Sequence, residues 1–179
     1  MTQPNFVHLR VHSDFSLVDG LGKTKPIVAK AAEMNMPALA ITDQMNLCGL
    51  VCFYGAAHGA GIKPLVGADF WLQSPEFDDE VCRITVLAKN NVGYKNLTVL
   101  ISEAFLRGHV QNRAMIDREW LVEHKEGLIL LSGTKDGDLG KALLKNQVES
   151  IASITDFYQT HFPDHYYIEL VRTSRAQEE

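Results

Sequence analysis

PALAITDQMNLCGLVCFYGAAHGAGIKPLVGADFWL, residues 37–72, is the stretch that decides the fold. PALAIT is a short apolar run of the kind that forms a strand covered on both faces, and it delivers Asp43 at its C-terminal end. A helix follows over LCGLVCFYGAAHG, with Asn46 placed to cap its start and Gly61 to stop it. IKPLVGADFWL then returns to strand character and carries Asp69 late in the run. Strand, helix and strand at this spacing make the repeating unit of a parallel α/β protein.

Outward from this stretch the alternation persists. In FVHLRVH, residues 6–12, strict alternation predicts a first strand with His8, Arg10 and His12 on one face and apolar residues on the other. TKPIVAKAAEMNM, residues 24–36, predicts a helix with Thr24 as cap, Pro26 in the first turn, and Ile27, Val28, Ala31 and Ala32 on one face. Downstream, RITVLAK (83–89) reads as the fourth strand and VGYKNLTVLISEAFLR (92–107) as a helix ended by Gly108. REWLVEH (118–124) is a short helix capped by Asp117, and GLILLS (127–132) is an apolar run typical of doubly covered parallel strands. GDLGKALLK (137–145) and ESIASITDFYQTHF (149–162) are helices, the second stopped by Pro163. HYYIELV (165–171) is a last strand before the polar tail RTSRAQEE (172–179). About six strands with helices between most of them make a βα-repeating parallel sheet or barrel, and alternation alone does not choose between the two.

With 179 residues, 46% of them hydrophobic, the chain is long enough to bury a core and lies within the usual size of one domain. It has no apolar run long enough for a membrane span, and MTQPNF lacks the charged start and apolar stretch of a signal peptide. The expectation is a cytoplasmic protein without a membrane partner. A formal net charge of −5 and scattered basic residues argue against a domain that binds nucleic acid by its own electrostatics. The three cysteines, Cys48, Cys52 and Cys82, form no metal knuckle and read as small buried apolar residues of a reducing compartment.

In parallel βα architectures chemistry gathers at the C-terminal ends of the strands. Asp14, Asp19, Asp43 and Asp69 fall there, together with His8, Arg10, His12, Gln44 and Arg83. Two imidazoles and a carboxylate suit zinc or manganese, but a fixed cation between them repels a metal. The other five of the seven histidines, His58, His109, His124, His161 and His165, read as packing or solvated positions. Asp78, Asp79 and Glu80 read as a solvated loop, and no phosphate-binding glycine loop or nucleophile elbow is present.

HLRVHSDFSLVDGL (8–21), ALAITDQMNLCGLVCFYGAAHGAGIKPLVGADFWL (38–72), ITVLAKNNVGYKNLTVLIS (84–102) and EGLILLSG (126–133) agree in order and spacing with one family. They closely resemble the start of bacterial DNA polymerase III alpha subunits, their N-terminal polymerase-and-histidinol-phosphatase (PHP) domain. The resemblance implies a distorted seven-stranded β/α barrel of the TIM type. It also implies one domain over residues 1–179 that is shorter than the family's and stops before the last strand or strands.

In family members with an intact site, the ligands begin with His-x-His, followed by an acid in a Leu-Asp-Gly turn, Thr-Asp-His, a Glu in Gly-x-Glu, and a His heading the fourth strand. Carried over, these positions hold His8, Arg10, Asp19, Asp43, Gln44, Asp69 and Arg83, with Thr134 at a later position that is often Cys. Four of these positions, Arg10, Gln44, Arg83 and Thr134, have lost their ligand group, two of them to arginine, which cannot deprotonate to bind a metal. The resemblance therefore implies former metal positions without catalytic residues, in which Arg10 and Arg83 pair with Asp19, Asp43 or Asp69 in place of metal ions. No metal or cofactor is expected in this fragment, whereas the intact polymerase uses Mg2+.

The function implied is a catalytically silent scaffold of a replicative DNA-directed DNA polymerase, a nucleotidyltransferase whose own active site lies outside this fragment. The partners implied are the proofreading exonuclease (epsilon) subunit, other subunits of the polymerase III holoenzyme, and DNA through the intact chain. The alternative is an active metal-dependent phosphoesterase or 3′–5′ exonuclease holding Zn2+ or Mn2+ with His8, His12, Asp19 and Asp69.

Overall fold

A computed structural model describes residues 6–17, 19–77, 80–110 and 112–171. Two expectations, the solvated pair Asp78–Asp79 and the polar tail 172–179, lie outside the described residues. Contacts divide the chain into one unit over Met1–Asp69 and another over Phe70–Glu179.

In the first unit, the apolar run Ala38–Ile41 forms β1, buried at all four positions. It pairs in parallel with the first half of β2, Lys63–Gln73, in the register Ala38↔Lys63 to Ile41↔Val66. Helix α1, Thr24–Glu33, and helix α2, Leu50–Gly59, supply the rest of the core. Val28 and Ala31 from α1 and Phe53 and Ala57 from α2 pack with Leu39, Ile41 and Ile62, as helical and strand spacing requires.

The helix ends differ in detail from the sequence expectation. Thr24 is the first helical residue and Lys23 takes the cap position without a side-chain bond. Gly49 takes the cap of α2, and Asn46 closes a turn ahead of it by accepting from the Cys48 N–H at 3.0 Å. Contrary to the buried reading of the cysteines, Cys48 and Cys52 are exposed, and only Cys82 is buried. Gly61, at φ 73°, follows α2 in the left-handed conformation that a glycine stop supplies.

Residues 6–12 run beside β1 but form no regular strand. The Ala40 N–H donates to the His8 carbonyl at 2.9 Å and the Thr42 N–H to the Val11 carbonyl at 2.8 Å, so three residues on one side span two on the other. Val11 N–H finds the Thr42 hydroxyl, at 3.0 Å, instead of a backbone carbonyl. The extra residue works as a bulge does: it breaks the alternation and puts His8 out of step with Arg10 and His12.

In the second unit, Leu72 and Gln73 at the end of β2 pair in parallel with β6, Ile116–Asp117. Strand β3, Cys82–Ala88, pairs with β7, Leu128–Leu131, and β7 pairs in parallel with β8, Tyr166–Tyr167. The β3–β7 ladder is antiparallel, which corrects the all-parallel reading of GLILLS. An apolar run reports burial on both faces and says nothing about strand direction. HYYIELV contributes only its two tyrosines to the ladder, because the Glu169 N–H turns to the Ser132 hydroxyl at 3.0 Å.

Helices α3, Asn91–Arg107, α4, Arg118–Glu123, α5, Asp138–Leu144, and α6, Val148–His161, fall where periodicity placed them. Asp117 caps α4 as expected, accepting from the Trp120 N–H at 2.9 Å. A small antiparallel hairpin, β4, His109–Val110, with β5, Arg113–Ala114, was not anticipated, since two-residue strands carry no measurable period. The fold is the expected mixed α/β of the PHP type, with both parallel and antiparallel pairs.

Candidate functional site

The end of β2 brings Asp69 beside the turn that follows β1. Gln44 and Asp69 form a parallel bridge, the Met45 N–H donates to the Asp69 carbonyl at 2.8 Å, and the Gln44 amide donates to the same carbonyl at 3.0 Å. These contacts fix the Asp69 backbone, and its side chain is 1% exposed.

Arg10 and His12, two residues apart on the extended segment, both reach that carboxylate. Arg10 Nε and Nη2 each lie 2.7 Å from Asp69 Oδ2, and His12 Nε2 lies 2.8 Å from the same oxygen. The other ring nitrogen, His12 Nδ1, lies 2.7 Å from Asp19 Oδ1. Since both ring nitrogens face carboxylate oxygens, both must carry protons to bond, and the geometry calls for an imidazolium. Burial opposes that charge, but the hydrogen bonds and negative charges of Asp69 and Asp19 outweigh it and raise the His12 pKa above its ordinary value.

Asp43 serves a different purpose. It accepts from the Ser13 N–H at 2.6 Å and from the Ser13 and Ser16 hydroxyls at 2.8 Å each. Ser16 Oγ in turn accepts from the Gln44 N–H at 3.1 Å. The loop carrying Asp19 is closed at its base by the Asp14 N–H on the Gly22 carbonyl at 2.9 Å. Asp43 thus anchors the loop while Arg10, His12, Asp19 and Asp69 form the ionic cluster.

The remaining predicted positions each have contacts of their own. The exposed His8 ring packs edge-on against Phe6 with centroids 4.9 Å apart. In the second unit the Arg83 guanidinium lies 4.5 Å from the centroid of the Trp71 ring, and Thr134 opens a short 3-10 turn at φ 57°. Ser13 and Ser16 escaped the sequence reading. Their only signal is the spacing Ser-x-x-Ser across Asp14, which is common in turns.

The family's ligand set implies a metal, and the first unit's donors do not fit one. A histidine binds a metal through a lone pair on neutral imidazole, whereas His12 presents two N–H groups to carboxylates. Asp69 Oδ2 already takes three donors, and one of the groups upon it is a permanent cation. Among the described residues, no three or more His, Cys, Asp or Glu side chains are grouped to hold a metal ion.

The family profile described as the PHP domain matches residues 8–173. DNA polymerase III subunit alpha of Vibrio cholerae is 63% identical over 179 residues, 100% of this chain and 15% of that protein. The subunit of the same name from Escherichia coli (strain K12) is 59% identical over the same span and the same shares. The chain therefore spans 15% of the length of these curated relatives. An amidohydrolase from Chromobacterium violaceum superposes with a TM-score of 0.51 at 13% identity, over 90% of this chain and 84% of that one, a likeness of fold. With the profile matched over residues 8–173, this chain belongs to the PHP domain family.

Proposed function

We propose that this chain is the N-terminal PHP domain of a bacterial replicative DNA polymerase, its alpha subunit, and that its PHP site is catalytically silent. The observation that carries the reading is the convergence of Arg10 and His12 on one oxygen of Asp69. Two cations there balance the carboxylates that a metal balances in other members, and they hold the strand ends without chemistry. On this reading the domain is a cytoplasmic scaffold of the holoenzyme that receives the proofreading exonuclease subunit. DNA is engaged through the intact, longer chain, and Mg2+-dependent nucleotide addition belongs to the part of it outside this domain.

Metal content by mass spectrometry, measured with thermal unfolding in the presence and absence of a chelator, tests this. The expectation is sub-stoichiometric metal and a melting temperature that the chelator does not move. Arg10→His should recover no metal, because Gln44 and Arg83 remain. Stoichiometric zinc or manganese together with phosphoesterase turnover would overturn the reading in favour of an active enzyme.

A further inference from the structure

In the first unit, helix α2 turns an apolar face to solvent. No Asp, Glu, Lys or Arg occurs between Asp43 and Lys63, so α2 lacks the charges that line the outer face of most surface helices. Cys48, just ahead of the helix, and Val51, Cys52, Gly55 and Gly59 within it recur at steps of three and four residues, and all are exposed. A glycine inside a helix is less stable than an alanine there, and it persists where another backbone must come close. A Cβ built at Gly55 or Gly59 meets nothing within 4 Å among the described residues, so neither glycine makes room for this unit's own packing.

The loop that carries Asp19 extends this surface. The Phe15 carbonyl accepts from the Asn46 amide at 3.0 Å, and a Cβ at Gly49 would lie 2.9 Å from the Phe15 ring, so the loop lies against the start of α2. From it Leu17 and Leu21 stand 88% and 98% exposed. Leu17 also holds φ 62°, a left-handed conformation that is strained for leucine, and at that exposure no packing within the unit offsets the strain. Since Ser13 and Ser16 fasten the loop to Asp43, both leucines stand on a fixed support.

A transient partner draws on charge for its encounter rate and its specificity, and α2 offers none. Permanent contacts are the more apolar class, and a tether supplies through effective concentration what charge does not. On the reading proposed above, on which this inference rests, the chain is one part of a longer subunit, and it spans 15% of the curated relatives it matches. We infer that the outer face of α2 and the loop bearing Leu17 and Leu21 form a docking surface for an apolar helix from the part of the same subunit outside these 179 residues. Gly55 and Gly59 let that helix approach closely, and it covers Val51, Leu17 and Leu21.

Cys48 and Cys52 lie on this surface and report its cover. Cys82 is buried, with its thiol pushed up to about 12 chiefly by that burial, and it reacts only if the chain unfolds. Iodoacetamide alkylation, mapped by mass spectrometry in samples whose Cys82 stays unmodified, compares the 179-residue chain with the longer subunit. Cys48 and Cys52 should react readily in the chain and about tenfold more slowly in the subunit. Val51→Arg and Leu21→Arg alter exposed side chains, and circular dichroism melts of the chain confirm that each variant is folded. In the subunit each should bring the alkylation rate to within about threefold of the uncovered value. Equal rates in chain and subunit overturn the inference. So does protection that appears in the chain alone as its concentration rises, which assigns the face to a second copy, or that appears in the subunit only when the exonuclease subunit is added. A native protein of 20.0 kDa overturns the proposed reading and this inference together, whereas a longer subunit whose thiols stay reactive overturns the inference alone. Metal content, which decides whether the PHP site is silent, does not enter this measurement.

Discussion

Asp69 is the residue on which the first unit's ionic cluster turns, since Arg10 and His12 share its one oxygen. Replacing it with Asn removes the anion from a buried position and leaves both cations behind, at a cost on the order of 3 kcal/mol. Asp19→Asn touches a side chain 39% exposed and should cost about 1 kcal/mol or less. Urea midpoints of the two variants, compared with the unchanged chain, check that ordering. His12 supplies a pH signature for the same cluster. Its folded pKa is raised above the 6.5 of the unfolded chain, so its contribution is complete below about pH 6.5 and is lost as pH rises through the folded value. Melting temperatures of the chain and of His12→Asn, followed from pH 6 to 9, should therefore differ most at the acid end and converge toward the alkaline end. A gap that stays constant across that range refutes the imidazolium.

Helix α3 shows how packing overrules propensity. Gly93 sits in its first turn, and the Asn90 carboxamide oxygen caps it by accepting from the Gly93 N–H at 2.9 Å. A Cβ added at Gly93 would lie 1.9 Å from the Gly127 carbonyl oxygen, and Gly127 itself is held at φ 72°. Gly93→Ala gains about 1 kcal/mol of helix propensity but forces helix and turn apart, so the net change should be a loss of several kcal/mol. Asn90→Ala removes only the cap and should cost about 1 kcal/mol. Denaturant unfolding of both variants separates the two effects, and a stabilised Gly93→Ala contradicts the close approach. The same contrast separates what was legible in the sequence from what was not. Helices α1 to α6 and strands β1 to β3 show strong periods or apolar runs, and those signals are local. The antiparallel β3–β7 ladder and the extra residue between His8 and Val11 depend on partners distant in the chain. For the site, the sequence exposed Arg10, Asp19 and Asp69 as candidates, but the serines on Asp43 and the approach of Arg83 to Trp71 are products of folding.

At the scale of the whole molecule, each unit holds an arginine–carboxylate cluster about a buried acid, and the two set opposite limits of pH. In the second unit Arg118, 6% exposed, donates to Glu76 Oε1 at 3.1 Å, Ser74 Oγ at 2.8 Å and Asp138 Oδ2 at 2.9 Å. Tyr158 from α6 donates to the same Asp138 oxygen at 2.9 Å, and Ser153 donates to Glu76 Oε1 at 2.8 Å. One cation thereby ties α4, α5, α6 and the segment after β2 together. Burial raises the Glu76 pKa, but its bonds from Arg118, Ser74 and Ser153 prevail and hold it below the ordinary 4.5. A lowered carboxylate stabilises the fold above its unfolded value and loses that contribution as pH falls through its folded value, the opposite sign to His12. Both tryptophans, Trp71 and Trp120, lie in this unit, so their fluorescence reports its unfolding. Arg118→Met should lower the fluorescence-detected stability by about 3–5 kcal/mol near neutral pH, because it strands the buried Asp138 carboxylate and the half-buried Glu76. Protonating Glu76 removes part of that penalty, so the gap to the unchanged chain should narrow below about pH 4.5. A gap that stays constant on acidification would show that Arg118 stabilises the unit through the packing of its stem over the Phe157 and Tyr158 rings, 5.0 and 5.7 Å from its guanidinium, and not through its charge.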